Sequence, residues 1–379
     1  MTSRKRRLRA LLESREATPV PGAGNALTAR IIEDVGYDAV YVSGAAIANS
    51  FLGVPDIGLT SLNDIAAHVG AIRDAVDLPL IVDADTGFGN TSNTWRTIRV
   101  LERAGADGVQ LEDQTFPKRC GHFTGKSVVS MEEMVDKIGV ACYAREDPDL
   151  LIIARTDARA EHGLAEACRR ANAYEEAGAD VLFVEAPETE EEIETIAAEV
   201  PGLLVLNIVE GGVTPVLPVS RLSELGFAIT LFANLPLLAS VAAIRDTLRY
   251  LKGDSNEMPP PIATWEQRQD GQRRRLPGST AVGVGLNLDL AIPSAVGALK
   301  PWERVVSLAW CLGHSTRSTE KELKNDTDRA VCEVRCQARA WGEGTSGPRG
   351  GVTCRGGGAG HPGLRDPCGA GQRGHHLDV

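Results

Sequence analysis

The sequence has no excess of positive charge: its formal net charge is −11. That argues against a protein held to nucleic acid by phosphate contacts. It leaves room for a small anionic ligand, since a site can be locally positive in an acidic protein. No run is long and apolar enough to span a bilayer. The basic start, Arg4-Lys5-Arg6-Arg7, lacks the apolar stretch of a secretory leader, because Leu8 to Leu12 is interrupted by Arg9 and closed by Glu13. It reads as a short basic amphipathic helix, and the cytoplasm is the default compartment. The eight cysteines lack the arrangement of a small disulfide scaffold. Cys142 and Cys168 fall in helical segments as small core residues. Cys332 and Cys336, with His361, His375 and His376, match no compact zinc module. No Gly-rich phosphate fingerprint follows the first strand-like run, so a doubly wound open sheet loses its main support.

What is present is the composition of a globular protein, 43% hydrophobic and 24% charged, with ample material for a core. Eight short apolar runs predict strands at Thr18–Gly22, Asp38–Ser43, Leu80–Asp83, Gly108–Glu112, Leu151–Arg155, Val181–Glu185, Leu203–Asn207 and Ala228–Phe232. Between them lie segments of helical period rich in Ala, Glu and Arg. Three helices end in the same way, at Val35-Gly36-Tyr37-Asp38, Ala104-Gly105-Ala106-Asp107 and Ala177-Gly178-Ala179-Asp180. A glycine just past each helix takes the left-handed cap and the next strand starts at once. Continuous apolar character means strands covered on both faces. Eight such units in alternation predict an α/β fold, a closed (β/α)8 barrel, over residues 1–270. From 271 to 379 the chain turns Gly-, Arg- and Pro-rich, a composition expected to be disordered.

The polar residues of interest sit at the C-terminal ends of the strands, which in such a barrel share one face. Asp83, Asp85 and Glu112 form an acidic set whose mutual repulsion would force protonation without a cation. An oxygen-only set suits Mg2+, with Mn2+ as a substitute, often through water. The structural alternative is that these acids cap helices or pair with arginines. Arg155, Glu185 and Asn207 end later strands, and Glu210 and Gly211 follow Asn207. In Lys118-Arg119-Cys120-Gly121-His122 a thiol lies between cations and a histidine, which lowers its pKa and suits it to proton transfer. Gly121 and Gly125 would let that loop move as a lid; an ordinary exposed basic loop is the competing reading. Ser43-Gly44-Ala45 is small enough for backbone N–H groups to approach an anion.

Together these segments resemble the isocitrate lyase/phosphoenolpyruvate mutase superfamily, in the branch with the Lys-Arg-Cys-Gly-His motif. Asp83-Ala84-Asp85-Thr86-Gly87-Phe88-Gly89, Leu111-Glu112-Asp113-Gln114, Ala154-Arg155-Thr156-Asp157-Ala158, Phe183-Val184-Glu185-Ala186-Pro187 and Asn207-Ile208-Val209-Glu210-Gly211-Gly212 match its blocks in order. The likeness runs from about Leu8 to Asp270. It implies Mg2+ held by Asp83, Asp85 and Glu112, mainly through waters, with Asp56 supporting that shell. It implies cleavage of a C–C bond to a metal-stabilised, pyruvate-like enolate, with Cys120 placed to protonate it. By the same resemblance Ser43, Gly44 and Ala45 cradle the oxoacid carboxylate. Arg155 and His122 bind a second anionic arm, oriented by Glu185 and Asn207. Tyr41, Lys118, Gly121, Glu210 and Gly211 complete the expected substrate site. The implied partner is a small carboxylate, with neither nucleic acid nor membrane. The implied assembly is a homodimer, or a homotetramer of dimers that swap their last helix.

Within the superfamily the sequence is similar to the shorter members, namely 2-methylisocitrate lyase, the petal-death-type oxaloacetate and dimethylmalate lyases, and carboxyphosphonoenolpyruvate phosphonomutase. Pro117 and Gly125-Lys126 favour the last two groups. Cys120 disfavours phosphoenolpyruvate mutases themselves, which lack it. Phe232-Ala233-Asn234-Leu235-Pro236-Leu237 departs from the 2-methylisocitrate lyase pattern and weakens a tricarboxylate substrate. The swapped helix should follow Trp265-Glu266-Gln267-Arg268-Gln269-Asp270, yet the pattern is lost at Gly271, as if the end were frame-shifted. Three readings stay open: a lyase of oxaloacetate or substituted-malate type, a phosphonomutase, and an inactive member.

Overall fold

A computed structural model describes residues 3–119, 121, 125–253, 260–265, 267 and 268. The expectations for Cys120, His122 and the tail from 271 lie outside the described residues.

Eight parallel strands close into a barrel in chain order: β1 (Thr18–Ala23), β2 (Val40–Val42), β3 (Leu80–Asp83), β4 (Gly108–Glu112), β5 (Leu151–Thr156), β6 (Val181–Val184), β7 (Leu204–Asn207) and β8 (Phe227–Phe232). Closure is made by β1 on β8, where Thr18 pairs with Ile229 and Pro21 with Phe232. Each strand is within two residues of its expected bounds. The glycine signature marks the returns from helix to strand. Gly36 and Gly105, at φ 97° and 107°, cap the helices Ala26–Val35 and Thr91–Ala104 in the left-handed conformation, which glycine adopts without the Cβ clash.

Side chains alternate across each strand, and the alternation divides the core in two. Leu80, Val82, Val109, Leu111, Ile152 and Ala154 pack outward against the helices. Ile81, Leu151, Ile153, Phe183, Val205 and Leu231 fill the barrel interior. Continuing the inward parity to the strand ends selects Asp83 after Ile81, Arg155 after Ile153, Glu185 after Phe183 and Asn207 after Val205. On β4 the inward positions are Gln110 and Glu112. The same repeat that builds the core therefore delivers its last member, a polar one, to the interior at one end.

The other end is closed by the basic N-terminal helix Arg4–Glu13. Leu8 and Leu12 are fully buried in the interior cluster, each contributing about 1.5–3 kcal/mol by burial. Around them Arg4 and Arg7 pair with Asp77, Lys5 with Glu102 and Asp147, Arg6 with Asp149, and Arg9 with Asp180. Four of these partners, Asp77, Asp147, Asp149 and Asp180, lie in the loops that lead into barrel strands. The basic start is thus a fitted plug on the N-terminal face. Among the described residues no helix is long and apolar enough to cross a membrane.

Candidate active site

Backbone bonds beyond the strand ends hold the acids in register. Ala84 N–H donates to the Gln110 carbonyl and Glu112 N–H to the Asp85 carbonyl, both at 2.9 Å. Asp85 sits at φ 47°, a left-handed conformation that aspartate tolerates better than most residues. Asp83 accepts from Gly44 N–H at 3.3 Å and Asp85 N–H at 3.2 Å. A side chain at position 44 would meet Asp83 Oδ2 at 3.1 Å and Asp85 Oδ1 at 3.3 Å, so Gly44 forms the wall on which both acids rest. Ser43 accepts from Ala46 N–H and opens the turn that carries Gly44 and Ala45. Tyr41 is buried below, donating to Gln110 Oε1 at 2.8 Å.

The loop after β4 folds onto this group. Lys118 Nζ lies 2.6 Å from Asp56 Oδ1 and 2.8 Å from Asp85 Oδ1. Arg155 pairs across the β4–β5 register with Glu112, NH1 to Oε2 at 3.4 Å. Its Nε and NH2 donate to the two oxygens of Asp157 at 2.9 and 3.0 Å. Glu185 Oε2 lies 3.3 Å from Arg155 Nε, Asn207 Nδ2 donates to Glu185 Oε1, and the Phe183 ring lies under the guanidinium. One guanidinium thus organises three carboxylates. Asp157 is itself fixed from behind: its N–H donates to Asp113, which also accepts from Thr156, Arg170 and Tyr174.

Burial and charge set the protonation states. Burial drives the Asp85 carboxyl up to about 6; Lys118 opposes this and Asp83 and Asp56 add to it. Burial also pushes Glu112 well above the usual carboxylate range, against Arg155 and Lys118. Asp157 goes the other way, to about 2: burial works against its charge, but Arg155 and Lys126 outweigh it. Burial works against the Lys118 ammonium too, yet Asp85, Asp83, Glu112 and Asp56 hold its proton tightly.

Of the residues expected from the sequence, Tyr41, Ser43, Ala45, Asp56, Asp83, Glu112, Lys118, Gly121, Arg155, Glu185 and Asn207 line one pocket. Gly44 and Asp85 contact that set directly. Glu210 and Gly211 are not in that lining: both are exposed, on a turn closed by Gly212 N–H to the Val209 carbonyl, while Val209 stays in the lining. The sequence reading gave no role to Asp157 or Lys126, and it used Asn234, also in the lining, only as part of a motif. The one available signal was the placement of Asp157 two residues beyond Arg155.

The donor set fits a hard divalent cation. Asp83, Asp85 and Glu112 are buried oxygen donors, and Glu112 Oε1 is buried with no hydrogen-bond partner. Among the described residues no three carboxylate, His or Cys side chains converge on one direct metal position, so water would complete the coordination.

Comparison with known proteins identifies the family. The family model "Phosphoenolpyruvate phosphomutase" matches residues 8–252. The chain is 46% identical over 248 residues to 2,3-dimethylmalate lyase of Eubacterium barkeri, covering 65% of this chain and 86% of that protein. It superposes on oxaloacetate acetylhydrolase in complex with 3,3-difluorooxalacetate with a TM-score of 0.67 and 34% identity, over 71% of this chain and 93% of the other. Phosphonopyruvate hydrolase, in a complex with oxalate and Mg2+, gives a TM-score of 0.64 and 32% identity, over 72% and 95%. The chain belongs to the phosphoenolpyruvate phosphomutase family and is an enzyme of the isocitrate lyase/phosphoenolpyruvate mutase superfamily.

Proposed function

We propose that this enzyme is a Mg2+-dependent lyase that cleaves a C–C bond of a small 2-oxo or 2-hydroxy acid of oxaloacetate or alkylmalate type, with 2-methylisocitrate as the larger variant. The observation that carries the reading is the meeting of Asp83, Asp85 and Glu112 with Lys118 and Gly121 at one end of the barrel. Mg2+ bound among those acids would act as a Lewis acid on the oxygen next to the carboxylate, and Mn2+ would substitute. Ser43, Gly44 and Ala45 cradle the oxoacid carboxylate. Arg155, held in place by Asp157 and Glu185, offers its remaining donors to the second anionic arm, together with His122. Lys118 keeps its proton and balances charge as it builds on the pyruvate-like fragment. Cys120, the chain neighbour of Gly121, delivers the proton that completes that fragment.

A phosphonomutase or C–P hydrolase is the second reading, favoured by the family model and by the likeness to phosphonopyruvate hydrolase. Purified protein with Mg2+ should release pyruvate or oxalate from oxaloacetate, 2,3-dimethylmalate or 2-methylisocitrate, and lose this activity with EDTA. Turnover of phosphonopyruvate alone would replace the first reading by the second. A chain that turns over none and shows no Mg2+-dependent thermal shift would be an inactive member.

The same reading makes the partner a small carboxylate, with no nucleic acid or membrane, in the cytoplasm. It also makes the protein a homodimer or homotetramer. The helix Leu235–Lys252 buries none of its residues, although Leu238, Val241, Ile244 and Leu248 repeat at helical spacing and are 42–59% exposed. Leu27, Ile31 and Val35 are also exposed, on the helix Ala26–Val35. An apolar helix face of this kind marks an interaction surface.

A further inference from the structure

Lys126 is buried, outside the pocket lining, and linked to two groups that define the site. Its ammonium donates to the Gly121 carbonyl and, at 2.8 Å, to Asp157 Oδ1. We propose that Lys126 is a positioning residue for the reaction: it ties the loop at Gly121 to the acid that holds Arg155. The inference rests on the lyase reading for its kinetic part alone.

The geometry supports it at three points. First, the base of the loop is already secured without Lys126. Gln114 pairs with Val128 in an antiparallel bridge, Thr115 N–H donates to the Ser127 carbonyl, and the Gln114 amide brackets Arg119 with two bonds. None of these reaches Gly121. Second, Gly121 has no slack. A Cβ there would fall 2.2 Å from Arg155 NH2 and 2.7 Å from Glu185 Cγ, so the Gly121 backbone lies directly on the residues that orient the substrate. Third, Asp157 Oδ1 accepts from both Lys126 and Arg155 NH2. One carboxylate oxygen therefore sets the spacing between the loop and the guanidinium.

A buried ammonium is costly unless paired and hydrogen-bonded, and with Lys126 removed Asp157 still keeps both of its bonds to Arg155. A thioether could fill the same space but could not grip the Gly121 carbonyl. Cys120 and His122 are the chain neighbours of Gly121.

The test compares full-length wild type, Lys126→Met and Lys126→Arg by hydrogen exchange and by steady-state kinetics on whichever of oxaloacetate, 2,3-dimethylmalate, 2-methylisocitrate and phosphonopyruvate the wild type turns over. Lys126→Met should speed exchange in the peptide spanning 114–128 while peptides of β3, β4 and β5 stay as in wild type. Its kcat should fall about 10- to 100-fold, the scale of a misplacement near 1 Å, with KM changed less than kcat, and Lys126→Arg should recover part of both. Unchanged loop exchange with unchanged kcat overturns the proposal. So does faster exchange spread evenly through the barrel, which marks a residue that only stabilises the fold. If wild type turns over none of the four acids, the lyase reading fails, and the loop-exchange comparison still decides the role of Lys126.

Discussion

At the scale of single residues, the site runs on two buried acids shifted in opposite directions. Asp85 is raised to about 6 by burial, so without a cation the folded protein holds its proton more tightly than the unfolded chain does. Its stabilising contribution is fully present below pH ~4, the ordinary carboxylate range, and is lost as pH rises through about 6. Above that, a buried charge remains that a divalent cation would relieve. Mg2+ should therefore raise the melting temperature more at pH 7.5 than at pH 5.5, measured by scanning fluorimetry at fixed ionic strength; equal shifts would remove Asp85 from the proposed metal site. Asp157, lowered to about 2 by Arg155 and Lys126 against its burial, stabilises the fold above pH ~4 and loses that contribution as pH falls towards 2. Asp157→Asn leaves two buried cations facing a neutral amide, which should cost about 3–5 kcal/mol in urea unfolding. It should also release Arg155 and lower kcat/KM by more than tenfold. The inward parity of Asp83, Glu112, Arg155, Glu185 and Asn207 was legible in the sequence because strand period and strand ends both were. The pairing of Lys126 with Asp157 was not: the two are 31 residues apart, and only closure of the barrel brings them together.

At the scale of elements, the basic N-terminal helix illustrates how one sequence pattern supports two meanings. Arg4 to Arg7 reads equally well as a solvated charge run, and the helix itself was legible. Its role as a plug was not, since the acids it meets are spread from Asp77 to Asp180. Its stability comes from Leu8 and Leu12 rather than from the exposed pairs, most of which contribute less than about 1 kcal/mol. Leu8→Ala should destabilise the protein by about 2–5 kcal/mol in denaturant unfolding and leave kcat/KM within about twofold at 25 °C, because the plug lies at the end of the barrel opposite the site. A large loss of kcat/KM in the folded variant would show that the two faces are coupled. The loop after β7 is where reading by element reaches its end. Glu210 and Gly211 continue a matched block, yet the turn at Val209 ends the inward parity before them.

At the scale of the whole molecule, the barrel was legible almost strand for strand, because eight buried parallel strands impose eight apolar runs and three glycine-capped returns. Assembly was not legible in the same way, since an apolar face on a helix reads alike whether it meets its own barrel or another copy. The helix Leu235–Lys252 meets the first case poorly, with no buried residue. Ile244→Glu places a charge in its exposed apolar stripe. In light scattering coupled to gel filtration it should convert a dimer or tetramer to monomer with an unchanged circular dichroism spectrum; a wild-type monomer would remove the self-association proposal. The most direct test of the shared catalytic centre is anomalous diffraction from crystals grown with Mn2+ and oxalate. One peak is expected among Asp83, Asp85 and Glu112, with oxalate density reaching from it towards Arg155. Manganese elsewhere, or oxalate bound away from these acids, would contradict a metal centre at this end of the barrel.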